Sequence, residues 1–215
     1  SNIFSSLFKK VSGFAIKRSF PRLNKQSLRK WIKKNPDRLL PDHENQRGSV
    51  YLFVDEFTDY TEVDLGISTI SLLAHLGYEV KVISHPESGR AFLSKGLVRK
   101  AKKLAEENIN AFSGLVNDNN PLVGIEPSAI LSFRDEYPDL VSEGLRQKAL
   151  ELSGNAYTIE EFLSHAVEGG NIGSEDFTSE SKDIYYHAHC HKTSLSSSEF
   201  TAKILSITKN SKVHE

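Results

Sequence analysis

The amino-acid sequence predicts an α/β fold: a Rossmann-like parallel sheet with flanking helices, first half complete and second half truncated, preceded by an N-terminal helical segment. Three observations carry this expectation. Val50-Tyr51-Leu52-Phe53-Val54 is an unbroken apolar run of strand length, the pattern of a parallel strand covered on both faces. Strand-like and helix-like segments then alternate as far as Tyr137, the order produced by right-handed crossovers in one sheet. A further strand-like segment opens at Asp183 and leads into a helical one, a second unit still unfinished at Glu215.

The elements follow in order. Residues 1–47 are predicted to be a helical extension. Phe4, Leu7, Phe8 and Val11 recur at helical spacing beside Lys9, Lys10, Lys17 and Arg18, a basic amphipathic pattern. Such a helix suits a membrane surface or a partner, or packs on its own parent protein. A second helix over Lys25–Lys33 carries the only tryptophan, Trp31, and stops before Asn35-Pro36. After the first strand, Val63–Leu76 is helical, with Ile67, Ile70, Leu73 and Leu76 on one side and Gly77 at the C-terminal cap. Tyr78–Ile83 is a second strand, and Ser94 opens a long charged helix to Phe112. Pro121–Ile125 is a third strand, followed by a short helix Ser128–Tyr137, capped by Ser128 and stopped by Pro138. Helices over Asp139–Leu152 and Thr158–Val167 follow, the latter with Thr158 and Glu161 spaced for a capping box. Asp183–His187 then reads as a strand and Ser196–Ile207 as its helix. The expected organisation is an extension over 1–47, a first α/β half with a helical linker over 48–180, and the start of a second half over 181–215.

Composition excludes several classes. A formal charge of −1 gives no bulk attraction for nucleic acid. One cysteine cannot form an internal disulfide and fits a reducing, cytoplasmic setting. No apolar run approaches the roughly 20 residues of a membrane span, which leaves membrane contact indirect. The absence of any methionine predicts an excised piece of a longer protein.

The tract Tyr185-Tyr186-His187-Ala188-His189-Cys190-His191-Lys192 is the densest in ligand chemistry. Cys190 between two imidazoles reads either as a metal or cluster ligand, its thiolate favoured by the neighbours, or as a small apolar residue at a strand end. His187, His189 and His191 alternate and share one face of a strand, suited to zinc or to hydrogen bonds within the domain. Gly89 and Gly96 with Arg90 and Lys95 suit an anion at a helix N-terminus, or a tight turn with solvated charges. Ser128 lacks any sequence signal for a base or oxyanion site, and no catalytic residue is assigned. Asp55, Glu56 and Asp59 supply oxygen ligands for a hard cation, or structural contacts at the first turn.

Four segments carry a resemblance. They are Phe53-Val54-Asp55-Glu56-Phe57-Thr58-Asp59-Tyr60, Pro86–Arg90 with Leu93-Ser94-Lys95-Gly96, Gly124–Ala129 with Phe133–Tyr137, and His187–Lys192. Together they resemble the cysteine-rich domain found in heterodisulfide reductase and in the iron–sulfur subunit of glycolate oxidase. The nearest version is the C-terminal part of FAD-linked oxidases of the D-lactate dehydrogenase type. The resemblance implies two similar α/β halves, each with a Cys-Cys-Gly motif ligating an iron–sulfur cluster. It also implies partners, namely the flavin and ferredoxin-like domains of the same parent chain, with FAD on the former. The implied cofactor-binding residues are Cys190, His189, His191, Glu87, Ser88 and Gly89, with Cys190 and His187 as metal ligands. Yet Glu87 and Ser88 stand where the first cysteine pair belongs, and Ala129 where another cysteine is expected. The implied function is that of an electron-transfer-associated domain of an oxidoreductase for a 2-hydroxy acid such as lactate or glycolate, inert in isolation. The alternative is a non-catalytic scaffold or docking module that has lost its cluster.

Overall fold

The computed structural model describes residues 3–15, 17–19, 22–42, 46–187 and 195–214. Helices α1 (Ile3–Ser12) and α2 (Leu28–Lys34) precede strand β1 (Gly48–Phe53). Helices α3 (Glu56–Tyr60) and α4 (Val63–His75) connect β1 to β2 (Tyr78–Lys81). Helices α5 (Arg90–Leu93) and α6 (Val98–Phe112) lead to β3 (Leu122–Gly124). Three helices, α7 (Pro127–Ile130), α8 (Glu136–Leu140) and α9 (Glu143–Ser153), then lead to β4 (Ala156–Thr158), and α10 (Ile159–Glu168) leaves it. Finally β5 (Asp183–Tyr185), α11 (Ser198–Leu205) and β6 (Lys212–His214) form a separate parallel strand–helix–strand unit.

The main sheet is parallel throughout, in the order β2-β1-β3-β4. β1 is central because it is apolar on both faces. Val50, Leu52 and Val54 point into the core under α2, α4 and α10, with Ile70, Leu73 and Phe162. Phe53 points to the other core, with Ile109 and Phe112 of α6 and Phe133 and Tyr137 beyond β3. The chain leaves β1 toward β2 on one side and β3 toward β4 on the other. The C-terminal ends of β1 and β3 are thus a topological switch point, where open α/β sheets leave a crevice.

The α/β class and the first three strands match the sequence expectation, and several details differ for physical reasons. β4 lies outside that expectation, because three residues between two helices give no periodic signal. The charged helix does not run from Ser94: α5 ends there, the chain turns at Gly96, and α6 starts at Val98. Ser128 is not the cap of its helix, since Glu126 takes that place and its carboxylate accepts from the Ser128 amide. Pro138 does not stop a helix but sits in the first turn of α8, where its missing N–H is not needed. Thr158 caps α10 as expected, its hydroxyl accepting from the Glu161 amide at 3.3 Å, but the Glu161 carboxylate serves Arg134 instead of closing a capping box. The strand at Asp183 finds its partner in β6.

Close packing at the switch point is tightest at Gly124, where a Cβ would lie 2.4 Å from Cβ of Ile130. Neither backbone can yield without moving β3 or α7. Gly124→Ala is therefore expected to lower unfolding stability by about 1–3 kcal/mol, read as a reduced urea midpoint at unchanged slope.

Candidate functional site

A cleft of about 580 Å³ opens at the C-terminal ends of β1 and β2, lined by Arg29, Glu56, Asp59, Tyr60, His85 and Glu87 among others. Beneath it lies Asp55, two residues past the end of β1, which caps α3. The Asp55 carboxylate accepts from the Phe57 amide at 2.8 Å, the Thr58 amide at 3.0 Å and the Thr58 hydroxyl at 2.6 Å. Burial nevertheless raises its pKa to about 6, outweighing these hydrogen bonds. The role is structural: its oxygens hold the first turn of α3.

Arg29 of α2 reaches over the strand end as a hub. Its guanidinium donates to the Val54 carbonyl at 2.8 Å and to Nε2 of His85 at 3.0 Å, and lies 3.5 Å from the Asp59 carboxylate. His85 Nε2 also accepts from the Val54 amide at 3.2 Å, while Nδ1 lies 2.7 Å from the Pro86 carbonyl. A carbonyl only accepts, so the proton is on Nδ1 and the ring is neutral. The ring stacks on Phe53 at 4.5 Å, and burial followed by the Arg29 charge depresses its pKa to about 3. With both nitrogens engaged, His85 is not a free base.

The third network surrounds Ser88 in the loop after β2. The Ser88 amide and hydroxyl both donate to the Glu56 carboxylate, at 2.9 and 2.8 Å. The same hydroxyl accepts from the Arg90 amide at 3.1 Å, starting α5. The Ser88 carbonyl accepts from the Tyr137 hydroxyl at 2.7 Å. Asn108 donates both to that hydroxyl at 3.2 Å and to the Glu87 carbonyl at 3.0 Å. Gly89 adopts φ +76°, and a Cβ there would lie 3.4 Å from Cα of Ala101, so both conformation and the nearness of α6 call for glycine. Arg90 pairs with Glu136 across the loop.

The expected cofactor-binding residues therefore meet different fates. Glu87 projects into solvent at the rim of the cleft, with a pKa raised by partial burial and then by Glu56. Ser88 is fully buried and Gly89 supports the turn. Ala129 is fully buried in the core on α7. His187 is exposed just past β5, whereas His189, Cys190 and His191 lie outside the described residues. Among the described residues, no group of three or more His, Cys, Asp or Glu could hold a metal ion. An iron–sulfur cluster does not fit these residues: such a centre takes about four thiolates, and Ser88 has its hydroxyl, amide and carbonyl already committed within the protein. Arg29, His85, Asn108 and Tyr137 escaped sequence reasoning because their partners lie tens of residues away. A histidine before proline at a strand end was the one available signal.

No family model matches the chain, and no solved structure matches it. The chain is 26% identical over 148 residues to D-2-hydroxyglutarate dehydrogenase of Pantoea ananatis, covering 68% of this chain and 14% of that protein. It is 29% identical over 150 residues to lactate utilization protein A of Exiguobacterium sp., covering 68% of this chain and 58% of that protein. It is 26% identical over 178 residues to the probable iron-sulfur-binding oxidoreductase FadF of Bacillus subtilis, covering 79% of this chain and 23% of that protein. The chain thus spans less than two thirds of the length of each of these relatives. It is distantly similar to a part of each of these proteins. Among the described residues, no helix is long and apolar enough to cross a membrane.

His85 and Asp55, both buried, act on stability in opposite senses. His85 loses affinity for its proton on folding, from an ordinary 6.5 to about 3, so stability rises as pH climbs through that window. Asp55 gains affinity, from 3.8 to about 6, so its neutral form favours folding and stability falls as pH rises between those values. Between about pH 4 and pH 6 each group exchanges close to one proton on folding, so their opposite slopes nearly cancel in the wild type. His85→Gln is expected to leave the Asp55 effect, a urea midpoint that falls as pH rises through that window, and Asp55→Asn to leave the His85 effect, a midpoint that rises. A midpoint that does not fall with pH in His85→Gln contradicts the neutral, fully engaged imidazole.

Proposed function

We propose that this chain is the C-terminal, electron-transfer-associated domain of a FAD-linked oxidoreductase acting on a 2-hydroxy acid of the lactate or glycolate type. On this reading its first α/β half is a cluster-free scaffold, and the chain alone is catalytically inert. The observation that carries the scaffold reading is the saturation of Ser88. The residue at a position where the resembled family has a ligating cysteine is buried and tied to Glu56, Arg90 and Tyr137. The relationship to the 2-hydroxy-acid oxidoreductases and the iron-sulfur-binding oxidoreductase supports the wider assignment.

The chemistry left to this half is positioning. Hydride removal and single-electron transfer belong, on this reading, to a flavin and to clusters held on neighbouring domains of the parent. Phe57 and Tyr60 of α3 stand exposed just past the end of β1, Tyr60 at the cleft itself, apolar surface suited to such a neighbour. Cys190 remains the one thiol in the sequence able to contribute a ligand.

Iron and acid-labile sulfide, measured per flavin on the anaerobically purified parent, test the reading. Ser88→Ala combined with Glu87→Gln is expected to leave both ratios and the visible spectrum unchanged. Loss of iron with loss of visible absorption in that variant would make this loop a cluster site and overturn the scaffold assignment. The isolated chain is expected to contain far less than one iron per molecule.

A further inference from the structure

The net charge of −1 conceals a sharp asymmetry. Ten of the 27 Lys and Arg residues precede Asp37, and none of the 28 Asp and Glu residues does. Apart from Lys9 and Arg29, these cations stand exposed: Lys10, Lys17, Arg18, Arg22, Lys25, Lys30, Lys33 and Lys34. Arg29 is taken up by Asp59 and His85, and Lys9 donates to the Arg18 carbonyl, folding the following segment back onto α1. α2 buries Leu28 and Ile32 in the core, so its lysines are left on the outside.

The apolar side of α1 is turned to solvent. Leu7 is 60% exposed, Phe8 62% and Val11 82%, and Phe14 just past the helix is 42% exposed. At 100° per residue Leu7, Phe8 and Val11 fall within one arc of the helix, with Ser6, Lys9 and Ser12 on the remaining arc. An exposed apolar stripe flanked by exposed cations is complementary to one kind of surface, an apolar layer beneath an anionic one.

We propose that α1, with the basic segment through Lys34, is an interfacial anchor that lays the chain on an anionic phospholipid surface. The helix has ten residues and lies in the plane of the interface, inserting Leu7, Phe8 and Val11 between headgroups while the cations meet phosphate and carboxylate groups. A protein partner is less suited. A stable protein interface uses about 20–30 residues a side, and α1 presents a single narrow stripe. This inference is independent of any cofactor and would place the parent oxidoreductase at a membrane directly.

Co-sedimentation of the full chain with vesicles tests it. The chain is expected to bind vesicles of mixed phosphatidylglycerol and phosphatidylcholine at least about tenfold better than vesicles of phosphatidylcholine alone. Binding should weaken as salt is raised through the range in which the Debye length drops from about 10 Å to about 3 Å. Leu7→Asp with Val11→Asp should abolish it without moving the urea midpoint, because both side chains are exposed. Replacing Lys10, Lys17 and Arg18 by Gln should reduce it while leaving the fold intact. Absence of binding to phosphatidylglycerol vesicles overturns the proposal, as does equal binding by the Asp variant. Failure to bind vesicles, combined with protection of residues 7–14 from hydrogen exchange only in the parent protein, would reassign the stripe to a protein contact and equally overturn it.

Discussion

The Ser88–Glu56 contact fixes the loop on which the rest of this half depends. It ties the chain between β2 and α5 to α3, beside the contacts that His85 makes with Val54, Arg29 and Phe53 in the same loop. The carboxylate receives both an amide and a hydroxyl from one residue. Each charge-assisted bond of this kind contributes roughly 1.5–3 kcal/mol. The loop held in this way presents the Ser88 carbonyl to Tyr137 on α8 and the Glu87 carbonyl to Asn108 on α6. Three helices from distant parts of the sequence are thereby referenced to one turn. Tyr137 is buried so completely that its pKa lies well above the usual phenol range, so its hydroxyl is permanently a donor.

The same arithmetic explains why the cleft is built for shape. A catalytic group needs an unsatisfied proton, lone pair or charge that a substrate completes. Here Asp55 is consumed as a helix cap, His85 uses both ring nitrogens, and Arg29 is divided between a carbonyl, an imidazole and Asp59. Glu87 stands apart from these networks, its side chain turned outward at the rim. The buried Asn108 Oδ1 is the exception within these networks, without a partner among the described residues.

Much of this was legible in the sequence because burial on both faces leaves a strong local mark. The run Val50–Val54 announced β1, and Gly77 announced the end of α4. Short elements left no such mark: β4 is three residues long, and its β identity comes from pairing with β3. The split between α5 and α6 turned on Gly96, whose loop conformation the helical charge pattern around it obscured. Cap assignment failed at Ser128 because Glu126, preceding a proline at the first helical position, was the better-placed acceptor. The site itself was hardest to read. Glu87 and Ser88 could be singled out by resemblance, but nothing local to them says that Glu56, Asn108 and Tyr137 would converge there. The charge asymmetry of the N-terminal segment was visible in sequence as a basic amphipathic pattern, and its exposure became evident only from the fold.

The loop after β2 is locked by protein groups alone. The most direct measurement is a double-mutant cycle on the full chain, comparing the unfolding free energies of wild type, Glu56→Ala, Ser88→Ala and the combined variant. A favourable coupling of at least about 1 kcal/mol between the two positions is expected. Additive effects, with coupling indistinguishable from zero, would mean that Ser88 and Glu56 do not hold the loop together and that the site is free for another occupant.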